Sequence, residues 1–315
     1  MSFAMEVKEE ILNHTFTHEQ KIMLLSGFIK YNGELIYTNN RAALKLTNTS
    51  NQVIRNIFTI LKTIYDGNVE ISIIQIQKLR KNKIYQLLLT DRVLEFLSEN
   101  DIFHPGLNNK VIEMNLEKYE KKIWEELTRA YISGIFIAVG SVNSPETTNY
   151  HLEFQFKEEE SSIYIVKTLK KYRFNFKVTN KKNKFVCYAK KSIVVSDFLK
   201  FMDASISVMK FENTRINRDV SNNINRMINI DIYNQQKSSL TGSKQIEEIK
   251  LIQRNNLMLE LSPKAQLLSE IRLENPDASF SELEYLMNEK KVLITKSGIS
   301  NLFKIISKLA NTIGE

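Results

Sequence analysis

The sequence predicts an α+β chain: a helix–strand–strand–helix–strand–strand–helix unit of roughly 100 residues present twice, then an all-α segment. Three observations predict it. LLSGFIKYNGEL (24–35) and YISGIFIAVGSVN (131–143) share one pattern, apolar, Ser-Gly, apolar, apolar, then Gly, about a hundred residues apart. The runs that follow each copy alternate in the same order. The last part of the chain, from 261 on, carries helix caps and no strand pattern.

In the first copy, 34–38 and 42–47 are alternating runs around Asn39-Asn40, a strand–turn–strand signal. Residues 53–65 are apolar at Ile54, Ile57, Phe58, Leu61 and Ile64, the spacing of a helix, and Asp66-Gly67-Asn68 ends it. Two strand-like runs, 69–75 and 84–90, flank the charged turn 78–83, and 92–98 closes the unit as a short helix. In the second copy, 118–138 reads as a long helix, 151–156 as a strand and 161–172 as a helix. Strands at 174–179 and 185–189 flank Lys181-Lys-Asn-Lys184, and 195–202 closes the unit. His104-Pro105-Gly106 falls between the copies as a loop; Asp91 and Asp197 are expected as caps of the closing helices.

Ser26, Gly27, Ser133 and Gly134 are small residues on otherwise apolar helices. A glycine inside a helix costs about 1 kcal/mol and needs a packing reason. These four residues are expected where the two helices meet.

In the all-α segment, Ser262-Pro263 is an N-cap followed by proline at the first helical position. Asn275-Pro276 ends that helix, and Ser279-Phe-Ser-Glu282 is a capping box that opens the next. Thr295 caps a third helix, 296 to about 309, with Ile299, Leu302, Ile305, Ile306 and Leu309 inward. Three short helices of this size suit docking in a DNA major groove, with the last as reader. Its exposed residues are then Lys296, Ser297, Ser300 and Asn301, with Lys304 and Lys308 further along. Serine and asparagine suit base edges, and lysine suits phosphates.

The net charge of +8 favours a polyanionic partner, although a chain so rich in Lys, Asn and Ile owes part of that excess to composition. Residues 261–315 hold seven basic and seven acidic residues and are formally neutral. Residues 165–220 hold fourteen basic against four acidic residues. Lys181, Lys182, Lys184, Lys190, Lys191, Arg215 and Arg218 belong to that excess and are candidates for a second DNA contact. A single cysteine, Cys187, excludes a disulfide framework or a cysteine metal cluster. His14 and His18 have helical metal spacing but no third ligand nearby. No run approaches the roughly 18 apolar residues of a membrane span. No metal, no cofactor and no membrane are expected.

LSGFIKYNG (25–33) and ISGIFIAVG (132–140) resemble the LAGLIDADG motif of homing endonucleases. That resemblance implies paired motif helices at the inter-repeat interface, each ending in a carboxylate that holds a catalytic divalent metal. Those positions are Asn32 and Val139 here, one a poor ligand for a hard cation and the other none. Over nearly the whole chain the sequence resembles the WhiA family of bacterial regulators. The resemblance rests on MSFAMEVKEEI, RAYISGIFIAVGSVN, KFENTRINRDVSNNINRMIN, SKQIEEIKLI, LSPKAQLLSEIRLENPDASFSELEYLM and TKSGISNLFKI. It implies two LAGLIDADG-like repeats (1–110 and 111–233), a linker with a lead-in helix (234–260) and a helix-turn-helix domain (261–315). It further implies a nuclease-inactive, cytoplasmic, nucleoid-associated regulator that binds double-stranded DNA, serves cell division, chromosome segregation or growth control, and works with other transcription or division proteins. The rival readings are an active LAGLIDADG nuclease or RNA-binding maturase-like protein, and a first domain that only docks proteins or ligands.

Overall fold

The structure is a computed structural model; it describes residues 2–38, 41–75, 83–104, 109–110 and 113–314. The turn at Asn39-Asn40, most of the charged turn 78–83 and the loop at Pro105-Gly106 lie outside the described residues. The chain divides into two compact units, Met1–Asn217 and Arg218–Glu315.

The first unit opens with α1 (Phe3–Leu12) and α2 (His18–Asn32), then β1 (Glu34–Thr38), β2 (Arg41–Asn48), α3 (Asn51–Leu61), β3 (Val69–Gln75), β4 (Lys83–Leu89) and α4 (Val93–Glu99). After the short pair β5 (Phe103–His104) and β6 (Asn109–Lys110), the order repeats. It runs α5 (Trp124–Val139), β7 (Gly140–Val142), β8 (Leu152–Phe156), α6 (Glu159–Lys171), β9 (Lys177–Lys181), β10 (Lys184–Ala189) and α7 (Ser192–Phe201). The two four-stranded sheets have equivalent strand orders, β1-β2-β4-β3 and β7-β8-β10-β9, and every pairing is antiparallel. Shared topology in both halves is the structural form of the internal repeat. β7 was not anticipated: Gly-Ser-Val is too short to show alternation.

Each sheet turns one face to the helices. Leu44, Leu46, Leu87 and Leu89 are buried in the first, and Leu152, Phe154, Phe156 and Cys187 in the second. Between the sheets run α2 and α5, which approach closely. A Cβ added to Gly27 would lie 2.2 Å from the Tyr131 carbonyl oxygen, and one on Gly134 would lie 2.0 Å from that of Leu24. Ser26 and Ser133, beside them, are buried. Only glycine permits backbone contact this close.

The closing helices differ from expectation in their caps. Asp91 lies before α4, whose cap is Arg92 at φ 48; the Asp91 carboxylate accepts from the Asn68 N–H at 3.1 Å. Asp197 lies inside α7 and pairs with Lys200 at 3.2 Å. Both short polar residues serve turns and faces rather than helix starts.

Residues of α8 (Ser205–Arg254) fall in both units. Its start is capped by Glu10, which accepts from the Ile206 N–H at 2.6 Å and the Ser207 N–H at 2.9 Å. The polar stretch 234–243, expected as a turn-rich linker, is part of this 50-residue helix. Gly242 within it serves contact: its added Cβ would lie 2.2 Å from the Pro276 carbonyl oxygen.

The second unit adds α9 (Pro263–Glu274), α10 (Phe280–Glu289) and α11 (Lys296–Gly314). Ser262 accepts from the Ala265 N–H at 3.3 Å, and Ser279 with Glu282 forms the full capping box. Ile249 and Ile252 of α8 share a core with Leu268, Ile271, Leu283, Met287, Ile299, Phe303 and Ile306. Arg272 is fully buried there. It donates to the carbonyls of Asn275, Pro276 and Ala278 at 3.3, 3.2 and 2.7 Å, under the ring of Phe303. One guanidinium thus organises the whole α9–α10 turn.

Candidate nucleic-acid interface

Thr295 accepts from the Gly298 N–H at 3.3 Å and starts α11. Ile299, Phe303, Ile306 and Ala310 face the core, which fixes what the helix shows outward. Lys296, Ser297, Asn301, Lys304 and Lys308 are exposed, and Ser300 is partly so. Ser297, Asn301, Lys304 and Lys308 follow one another at helical spacing and share a face. Ile305 was expected inward; it is 54% exposed and sits on that face, where an apolar side chain can meet a thymine methyl or sugar. Lys290 and Lys291, in the turn before α11, are exposed as well, with Lys291 at φ 65. Sequence reasoning missed both because only the fold shows that this turn adjoins α11's first residues.

Formal neutrality of 261–315 hides a separation of charge. Six of its seven acids, Glu270, Glu274, Asp277, Glu282, Glu284 and Glu289, fall on α9, α10 and the turn between them; the seventh, Glu315, lies outside the described residues. Five of the seven bases fall between 290 and 308. The other two are Lys264 and the buried Arg272. The α11 side of this unit is therefore basic while the unit as a whole is not.

In the first unit, Asn32 and Val139 end α2 and α5. Asn32 donates from Nδ2 to the Thr47 carbonyl at 2.9 Å and accepts at Oδ1 from the Thr47 N–H at 3.0 Å. Its amide is thus tied to the backbone of β2 through both its oxygen and its nitrogen, and it offers a hard cation no carboxylate. Val139 is apolar and lines the same cleft of about 440 Å³. Glu34, also there, is paired to Lys45 at 2.9 Å, and that hydrogen bond and charge hold its carboxyl below the usual range. Among the described residues no group of three His, Cys, Asp or Glu side chains could hold a metal ion. The residues at the motif positions do not fit a catalytic divalent metal.

The outer face of the second sheet is basic. Register pairs Lys181 with Lys184, Thr179 with Val186, and Lys177 with Tyr188, which puts each pair on one face. Lys184 donates to Gln155 at 3.3 Å on the same face. Lys182 and Asn183 form the β9–β10 turn at φ 49 and 61, the two-residue turn that favours strand twist. Lys181, Lys182 and Lys184 thus come together, and Lys177 joins them unforeseen. Lys190 and Lys191 lie at the other end of β10, roughly 20 Å along the strand. Lys190 sits over the ring of Tyr188, which also stacks on His151. Arg215 is engaged by Glu212 at 2.6 Å, and Arg218, partly buried, belongs to the other unit. Within the first unit, Lys190 and Lys191 therefore stand apart from Lys181, Lys182 and Lys184. The corresponding face of the first sheet carries Ile36, Ala43, Ile84 and Leu88, with Lys45 held by Glu34.

Comparison with known proteins agrees with this architecture. Residues 18–103 match the WhiA N-terminal LAGLIDADG-like domain, 128–221 the WhiA LAGLIDADG-like domain, and 224–310 the WhiA C-terminal HTH domain. A protein of Enterococcus faecalis named "Probable cell division protein WhiA" is 32% identical over 315 residues, covering 100% of this chain and 99% of that protein. One of the same name from Clostridium botulinum is 32% identical, with 99% of each chain covered. The crystal structure of "full-length DUF199/WhiA from Thermatoga maritima" matches across all of both chains with a TM-score of 0.59 at 24% identity, a likeness of fold. The matched domains in order, and relatives at this identity over the full length, make the chain a member of the WhiA family.

Proposed function

We propose that this protein is a sequence-specific DNA-binding transcriptional regulator without nuclease activity, acting in cell division, chromosome segregation or growth control. The observation that carries the proposal is the separation of charge in the second unit, which leaves α11 as a basic, polar face on a helix-turn-helix-family domain. In this reading Ser297, Ser300 and Asn301 contact base edges, while Lys296, Lys304 and Lys308 set the register on phosphates. The β9–β10 turn and the face behind it, Lys177, Lys181, Lys182 and Lys184, make a second, sequence-independent contact. Loss of the motif carboxylates, with Asn32 committed to Thr47, supports binding without cleavage. The names of the relatives support a role in division, and a place on the nucleoid follows from the DNA reading. No helix among the described residues is long and apolar enough to cross a membrane.

The test is retention of genomic fragments by the full-length protein with Mg²⁺ present, at two salt concentrations, beside Asn301→Ala and Lys304→Gln. The expected result is a small set of intact fragments, whose selection is lost in Asn301→Ala and whose retention falls across the whole set in Lys304→Gln. Cut fragments would overturn the nuclease-inactive reading. Equal retention of all fragments by every protein would overturn sequence-specific reading through α11.

A further inference from the structure

The outer edges of the two sheets are built differently. β3 and β9 hold the same edge position in their repeats. β9 reads Lys-Val-Thr-Asn-Lys and is exposed along its length. β3 carries Ile71, Ile73 and Ile74 at 47, 60 and 43% exposure. An open edge presents unpaired N–H and C=O groups, and proteins normally protect it with lysine, proline, a bulge or a cover. The second repeat uses lysine; within β3 the only charged residue is Glu70. A duplicated fold supplies its own control, and among the described residues of β3 the lysines of β9 have no counterpart.

We propose that β3 is a self-association edge, which pairs antiparallel with β3 of a second copy to join two first sheets into one eight-stranded sheet. A twofold axis normal to the sheet keeps the faces matched only when a residue opposes itself or a residue an even number of positions away. Centring the axis on Ser72, the midpoint of Val69–Gln75, uses all the described residues of the strand. Ile71 then opposes Ile73 of the second copy twice over, and Glu70 opposes Ile74. Apolar pairs meet and no like charges do. The same operation on β9, centred on Thr179, would set Lys177 opposite Lys181 twice, a repulsive arrangement. A second copy therefore fits β3 and is refused by β9. Strand pairing of this length is a small interface, so the dimer exchanges with monomer as concentration changes. This association is independent of whether the protein binds DNA.

Ser72→Cys in the full-length chain tests the register. Directly opposed residues of an antiparallel pair lie about 4.5 or 5.5 Å apart at Cα, within disulfide range. The one native thiol, Cys187, is buried and does not compete. On mild oxidation Ser72→Cys is expected to give a covalent dimer, and Thr179→Cys and the unmodified protein none. Sedimentation of the unmodified protein should move with concentration from 36.7 kDa toward twice that mass. Ile71→Lys with Ile73→Lys should hold it at one chain while circular dichroism stays unchanged. A unit mass at all concentrations, or equal cross-linking at Ser72 and Thr179, would overturn the proposal. The assay contains no DNA, so its failure leaves the regulator reading intact.

Discussion

Gly134 and Arg272 are the residues whose loss should cost most, for opposite reasons. At Gly134 there is no room: alanine would push a methyl into the Leu24 carbonyl, so α2 and α5 must separate. Gly134→Ala is expected to lower unfolding free energy by at least about 2 kcal/mol in denaturant titration, with Gly27→Ala similar. At Arg272 the loss is of partners: alanine leaves three carbonyls of the α9–α10 turn without their donor. A cost of about 3–5 kcal/mol is expected there, confined to unfolding of the second unit. Lys8 behaves differently. It is largely buried above the Phe136 ring, and burial lowers its pKa from 10.5 to about 8. Between those values the unfolded chain holds a proton that folded Lys8 has released, so stability should rise with pH from about 8 toward 10.5. Below pH 8 the full penalty applies. Lys8→Met should therefore stabilise at pH 7, by up to about 3 kcal/mol, and flatten the alkaline rise. A rise that persists unchanged in the variant would show that Lys8 is not its source. The small residues at 26–27 and 133–134 were legible because glycine inside an apolar helix demands a reason. Lys8 and Arg272 were not, because nothing in a sequence tells a buried cation from a solvated one.

α8 and the β9–β10 hairpin show where local pattern succeeds and fails. The hairpin was legible: Lys-Lys-Asn-Lys between alternating runs is a turn in almost any context. The residues 234–243 read as a linker because Asn, Gln, Ser, Thr and Gly are turn formers, yet they are helical. Packing overrides propensity around Gly242 and 245–252, where the helix contributes to a core. It cannot do so at 219–237, where every residue is exposed. A helix without burial and rich in asparagine and β-branched residues is marginal in water. Amide hydrogen exchange is therefore expected to be fast across 219–237 and slow across 245–252 of the same helix. Uniform protection from 219 to 252 would mean that something covers the exposed stretch. The edges β3 and β9 carry a further lesson. Their strand character was visible in the sequence, but their place at the outside of each sheet was not, since alternation says nothing of strand order. The same ignorance of order is why Lys190 and Lys191 were expected together with Lys181, Lys182 and Lys184 and are found apart from them.

In the proposed function, DNA recognition by the whole chain brings together two contacts of different kinds, and they can be separated by what each does to sequence preference and to salt dependence. α11 offers hydroxyl, amide and apolar groups along with its lysines, so damage there should fall unevenly on different DNA sequences. The second sheet offers lysines on a face with Thr179, Gln155 and Tyr188, and in the present reading it tracks phosphates. Lys177, Lys181 and Lys184 changed together to glutamine are expected to weaken binding to every fragment by a similar factor. The slope of log K against log salt should become shallower by about 2–3, near 0.9 for each phosphate that is no longer neutralised. Asn301→Ala should leave that slope almost unchanged and reduce discrimination between preferred and random fragments, by about 1–3 kcal/mol for one base-edge hydrogen-bonding pair. If the triple variant keeps the original slope, this face of the second sheet does not touch DNA and is a solvated surface. The five lysines of the α11 side, between 290 and 308, account by themselves for a slope of at most about 4–5. A full-length slope above that value needs basic residues outside 290–308, so the unmodified protein's salt titration already tells whether the α11 side acts alone.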